Sequence, residues 1–364
     1  MYNLLGWKTN RKLVIFTSDD WGSIRLISAA QRASLIADGF NMSASRFNKF
    51  DALETDDDLN ALFNVLRKFK DIKGNYPVIT AMTNPANPDF EKIRAFNFET
   101  YYYLPLDQIV KNLPGRTNVL DLYREGIDDR IFIPQYHGRE HLNVRRWMTA
   151  LQQNYAPARK AFDHEFFQPD KSDLSGQFGK GFGAAYDPDD LSDIALHNDI
   201  IADGLQQFSR LFKYDATCFT APSLISNSGI EKSLSDCGIK LVDRNKIEKM
   251  PTGNGKHITR LNYIGKKTSS GLSVITRTAV FEPNISTSSN NVDECMRNIA
   301  DAFRNKKPAI ISNHRAAFSG EIDVRNRSEG LAALEQLLTQ ILQKWPDAEF
   351  VDLASLHQII TENA

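Results

Sequence analysis

The chain has 364 residues, with 44 lysines and arginines against 45 acidic residues, a formal charge of −1 at pH 7. That balance supplies no broad positive field for phosphate backbones or anionic lipid, so general nucleic-acid and membrane-surface binding lack support. At 41% hydrophobic and 24% charged residues the composition is that of a globular protein, and the length fits two or three domains or one α/β barrel with insertions.

Short apolar runs rich in Val and Ile predict strands over 13–17, 77–82, 130–134, 216–220, 240–242, 274–281, 308–312 and 349–351. Between them, apolar residues recur with a helical period over 58–69, 144–153, 191–212, 292–305 and 329–344. Strands alternating with helices indicate a mostly parallel sheet covered on both faces, and the unbroken apolar stretch Leu13-Val14-Ile15-Phe16 fits a doubly buried strand. Two segments, 155–190 and 253–271, are too long for simple connections and are expected as loop insertions that shape a cleft. With no shift in composition, residues 1–364 read as one barrel domain carrying these two insertions.

No stretch approaches the roughly 20 apolar residues of a membrane span. The segment Met1-Tyr2-Asn3-Leu4-Leu5-Gly6-Trp7-Lys8 lacks the charged start and apolar core of a secretory signal, so a cytoplasmic location is expected. Cys218, Cys237 and Cys295 are far apart and form no C-x-x-C, which points to reduced thiols and not to a disulfide framework or a thiolate zinc site.

Three polar clusters each follow an apolar strand, where α/β barrels gather their reactive residues. In the first, Thr17-Ser18-Asp19-Asp20-Trp21-Gly22-Ser23, adjacent carboxylates repel unless a cation or a shared proton compensates. Helix capping by Asp20 or Ser23 is the plainer reading of the same residues. The second, Tyr136-His137-Gly138-Arg139-Glu140-His141, spaces two imidazoles four apart, as metal ligands on one side of a helical turn require. Its H-x-x-E-H order also occurs in metalloproteases, which makes Glu140 the centre of a rival reading. The third, Ser312-Asn313-His314-Arg315, ends a late strand in a histidine whose ordinary pKa suits a general acid.

In this order the clusters resemble the polysaccharide deacetylase (NodB-homology) family, the resemblance running from Leu13 to about His314. It implies a distorted (β/α)7 barrel, Asp20, His137 and His141 as ligands of a divalent metal, Asp19 as catalytic base and His314 as catalytic acid. The metal is usually zinc in that family, though nickel, cobalt or manganese serve. The substrate class implied is an N-acetylated carbohydrate. Candidates for the substrate side are Trp21, as a stacking aromatic, with Tyr136, Arg139, Pro222, Asp243 and Arg315.

The chain departs from the family pattern at several points. Gly138 stands where Ser or Thr is usual, and Thr220-Ala221-Pro222 lacks the Arg that restrains the base. Another cation, from among Arg139, Arg244, Arg277 and Arg315, is required beside Asp19. Asp243 matches the family's fourth motif loosely, and Ser312 replaces a usual Leu.

The function expected is metal-dependent removal of an N-acetyl group from an amino sugar, a cytoplasmic enzyme meeting precursors of surface polysaccharide. The alternatives are hydrolysis of a non-sugar amide or amidine on the same barrel, and an inactive carbohydrate-binding relative.

Overall fold

The computed structural model describes residues 5–283 and 291–362. Nine strands form the central sheet: β1 (Lys12–Trp21), β2 (Ile79–Thr83), β3 (Phe132–Tyr136), β4 (Cys218–Thr220), β5 (Leu241–Asp243), β6 (Ser273–Ile275), β7 (Ala279–Val280), β8 (Ala309–His314) and β9 (Ala348–Phe350). Their order is β6-β5-β4-β3-β2-β1-β8-β7, with β9 beside the start of β1, and all of these pairings are parallel. The two end strands of this order, β6 and β7, are separated in the chain by Thr276-Arg277-Thr278. Three residues reach at most about 10 Å, so the sheet must curl until its ends nearly meet. The result is the distorted α/β barrel that the strand pattern anticipated.

The run predicted as one strand over 274–281 is broken by that seam. Its first half pairs with β5 and its second with β8, and no straight strand can serve neighbours on opposite edges of the sheet. The remaining expected strands are present with ends displaced by a few residues. In β1 nine of ten residues are buried because both faces are covered, and each large apolar side chain there contributes about 1.5–3 kcal/mol.

Helices start where side chains satisfy free N–H groups. The helix Asp56–Leu66 begins two residues before its apolar period because Thr55 and Asp58 form a reciprocal capping box. The helix Val324–Lys344 begins at its Asp323 cap, five residues before the periodic stretch. Of the two expected loops, 155–190 contains a helix, Ala156–Asp163, followed by two short 3₁₀ turns. The second, 253–271, begins as the turn and second strand of a hairpin, Lys256–Leu261 paired antiparallel with Ile247–Gly253, whose first strand precedes the expected insertion. No helix of the described residues is long and apolar enough to cross a membrane.

Candidate metal centre and active site

Because the strands are parallel, their C-terminal ends share one rim, and a cleft of about 540 Å³ opens there, within the range of small-molecule sites. Asp19 and Asp20 both face it although neighbours on a strand point to opposite sides. The pairing of β1 with β2 is interrupted between Ser18 and Trp21, and Asp20 has φ +76°. This bulge, in a left-handed conformation costly for a non-glycine residue, re-aims the second carboxylate into the cleft.

Asp20 Oδ1 lies 3.3 Å from Nε2 of His137 and 3.2 Å from Nε2 of His141. One ligand atom from each of the three residues falls within 4.8 Å of the others. Nδ1 of His137 is 2.8 Å from the carbonyl oxygen of Thr220, so it carries the proton and leaves Nε2 with its lone pair. That Nε2 is buried without a hydrogen-bond partner, an expensive state for a polar atom that a divalent cation would relieve. A carboxylate and two imidazoles, one oriented through its far nitrogen, fit a metal held by three protein ligands with an open position. Burial opposes the charge of Asp20, but His141 and, behind it, His314 act against burial, and its pKa lies well below the usual range.

The histidine loop is braced by Asn84, whose side-chain amide donates to the carbonyl oxygens of His137 and Gly138 at 2.9 Å each. Gly138 has φ +91°, and a Cβ there would lie about 3.0 Å from the Tyr186 hydroxyl, so a serine or threonine in its place would be strained.

The cation beside Asp19 is Arg277, in the seam between β6 and β7. Its Nη2 donates to Asp19 Oδ1 at 2.8 Å, Nε to Asp243 Oδ2 at 2.7 Å and Nη1 to Ser312 Oγ at 2.9 Å. Burial raises the Asp19 pKa, but Arg277 foremost, with His314, brings it below normal. Asp243 shares the same guanidinium yet remains raised, because burial dominates there. Oδ1 of Asp19 is thus occupied, while Oδ2 faces His314 Nε2 at 3.7 Å, as the β1–β8 register Asp19↔His314 dictates. On its other side His314 Nδ1 is bonded to Glu282, and Arg46 Nη2 lies 3.1 Å from the same carboxylate. Burial pulls the His314 pKa down, and Glu282 reverses this, leaving it raised.

The substrate-side candidates lie elsewhere. Trp21 is 1% exposed, donates to Ser18 and packs edge-on against Phe132 at 4.8 Å. Tyr136 is fully buried. Arg139 is tied to Glu140 at 2.6 Å and Asp203 at 2.8 Å, and Arg315 to Asp51 at 2.9 Å and Glu54 at 2.8 Å. Pro222 is buried, and the next two residues, Ser223 and Leu224, line the cleft in its place. Asp243 positions Arg277. Glu140, held by Arg139, does not line the cleft, so nothing places it as the base of a metalloprotease. Arg244 pairs with Glu231 and Glu248, away from Asp19. In their place the cleft is walled by Arg25, Phe47, Gln168, Lys171, Leu224 and Ile225, which the sequence reading did not single out. Of the insertions, 155–190 contributes to this wall, whereas the hairpin does not.

No family model and no curated protein matches the chain. Solved structures do. A Parabacteroides distasonis protein assigned as a glycoside hydrolase/deacetylase aligns with a TM-score of 0.50 and 8% identity, over 99% of this chain and 74% of that one. A Mycobacterium smegmatis protein assigned as a polysaccharide deacetylase gives 0.48 and 10%, over 99% and 93%. A Bacillus anthracis pseudoenzyme of carbohydrate esterase family 4 gives 0.40 and 11%, over 96% and 66%. The first of these alignments agrees with the distorted α/β barrel described above.

Proposed function

We propose that the chain is a metal-dependent hydrolase of the polysaccharide deacetylase family that removes an N-acetyl group from an amino sugar. The observation that carries this reading is the convergence, on one cleft, of the Asp20–His137–His141 set and an Asp19–His314 pair 3.7 Å apart. When bound, a divalent ion supplies a Lewis acid that polarises the acyl carbonyl and makes water more acidic.

The chain's own residues supply the proton traffic. Arg277 keeps Asp19 ionised and fixes its Oδ1, so Oδ2 takes a proton from the attacking water. His314, kept protonated by Glu282, gives its proton to the departing nitrogen, which leaves as an amine. Water adds across the C–N bond, its hydroxyl to the acyl carbon and its hydrogen to nitrogen, giving acetate and a free amino sugar.

The test is metal content and acetate release from N-acetylglucosamine oligomers. About one divalent ion per chain, lost in His137→Ala together with acetate release, supports the reading. Metal-free protein that releases acetate at the same rate overturns it.

A further inference from the structure

Between β1 and the helix Asp56–Leu66 the chain builds one wall of the cleft, and Arg25 is set into it. Its Nε donates to Asn48 Oδ1 at 3.0 Å and Nη1 to Gln168 Oε1 at 2.5 Å. The guanidinium lies 5.3 Å from the centre of the Phe47 ring. Gln168 in turn donates to the carbonyl oxygen of His141 at 3.0 Å, which ties Arg25 to the metal-ligand loop. These contacts use two of five N–H donors and fix the fork in place.

Among the described residues, no carboxylate oxygen comes within 4.0 Å of Arg25. The acids whose field reaches it are Asp51, Asp20 and Asp170. Asp51 accepts two bonds from Arg315, Asp20 faces the two histidines, and Asp170 accepts from the backbone and hydroxyl of Ser172. Arg25 is therefore a partly buried cation without a counterion of its own, a state that costs energy until an anion pairs with it. Lys171, exposed on the same cleft, likewise makes no ion pair among the described residues.

We propose that Arg25 is an anion-binding subsite of this cleft, and that the substrate is an amino sugar bearing an anionic oxygen group, phosphate or carboxylate, beside the N-acetyl group. The substrate half of this statement rests on the deacetylase reading; the subsite does not. A planar guanidinium with three free N–H donors suits two oxygens of one phosphate or carboxylate. Neutral sugar hydroxyls would leave its charge unpaired.

The experiment compares N-acetylglucosamine, N-acetylglucosamine 1-phosphate and N-acetylmuramic acid by calorimetric titration of metal-loaded wild type, Arg25→Gln and Arg25→Lys, followed by acetate release from each. The wild type is expected to bind at least one anionic sugar about tenfold or more tighter than the neutral one. Arg25→Gln abolishes that ratio and Arg25→Lys retains part of it; the preferred anion separates the phosphate source from the carboxylate source. A wild-type ratio near one overturns the proposal. So does a ratio that persists in Arg25→Gln, because the anion is then held by the metal or by Lys171. If the ratio behaves as expected and no sugar releases acetate, the subsite stands and the deacetylase reading falls.

Discussion

Replacing Arg277 by Met leaves two carboxylates, Asp19 and Asp243, 4% and 3% exposed, without their shared cation. Removing one partner of a buried ion pair costs about 3–5 kcal/mol, and the loss should sit in that range at pH 7.5. Part of it is recoverable, because Asp243 can take up a proton. Its pKa is already raised in the intact protein, burial outweighing Arg277, and loss of Arg277 raises it further. A folded-state pKa above the unfolded value contributes stability that is complete below the unfolded pKa and disappears as pH rises through the folded one. The variant should therefore regain ground on the wild type as pH falls from 7.5 to 5.5, by at most about 1.4 kcal/mol per unit for one proton. Asp243→Asn removes the orphaned charge, so the double variant should be more stable than the sum of the single losses predicts, by about 1 kcal/mol or more. Urea denaturation of the four proteins at both pH values, in chelator, measures all of this. Additive losses within about 0.5 kcal/mol, or a variant that gains nothing on acidification, would refute the assignment of Arg277 as the clamp.

Asp19→Asn should retain metal and lose acetate release by roughly 10²–10⁴-fold, while Asp20→Ala loses both; metal analysis beside a rate assay separates them. Glu282→Gln should move the alkaline limb of the pH–rate curve to lower pH, because Glu282 is what raises His314; an unmoved limb contradicts that role. His197 is buried with its Nδ1 unpartnered, and burial brings its pKa down to about 4. A depressed folded pKa gives stability that is complete above pH 6.5 and is lost on acidification toward 4, by up to about 3 kcal/mol. His197→Phe should flatten the urea midpoint between pH 7.5 and 5 relative to the wild type. Chelator should lower the melting temperature of metal-loaded protein, since binding to the folded state alone stabilises it.

The barrel and the convergence of Asp19, Asp20, His137, His141 and His314 were legible because both follow from one rule: apolar parallel strands end on a common rim, and polar residues just past them meet there. Arg277 and Glu282 obey the same rule in disguise. Each follows a strand of two or three residues, and these two strands read as one until the seam between β6 and β7 is seen. Arg277 is 258 positions from Asp19, and no local pattern joins them. The choice among four arginines required knowing that β6 and β7 lie at opposite ends of the strand order and still close on each other.

Three of the misplaced substrate residues share a physical cause. Trp21, Tyr136 and Arg315 are immediate sequence neighbours of Asp20, His137 and His314. A strand turns successive side chains to opposite sides, so a residue next to one that faces the cleft is more often sent into the core. Trp21 meets Phe132, and Arg315 turns down to Asp51 and Glu54. Asp20 escapes this fate through the bulge with φ +76°. The residues that do wall the cleft come from loops, Arg25 and Gln168, or from helical pieces of five residues or fewer, Phe47 and Lys171, too short for a sequence period to mark them. Their separate origin has a consequence for specificity. The strand ends that set the chemistry are fixed by sheet register, whereas the segments 22–55 and 155–190 can change length and charge without moving any strand. A barrel of this kind can keep its ligand set and acid–base pair while its substrate changes, and Arg25 belongs to the part that is free to vary.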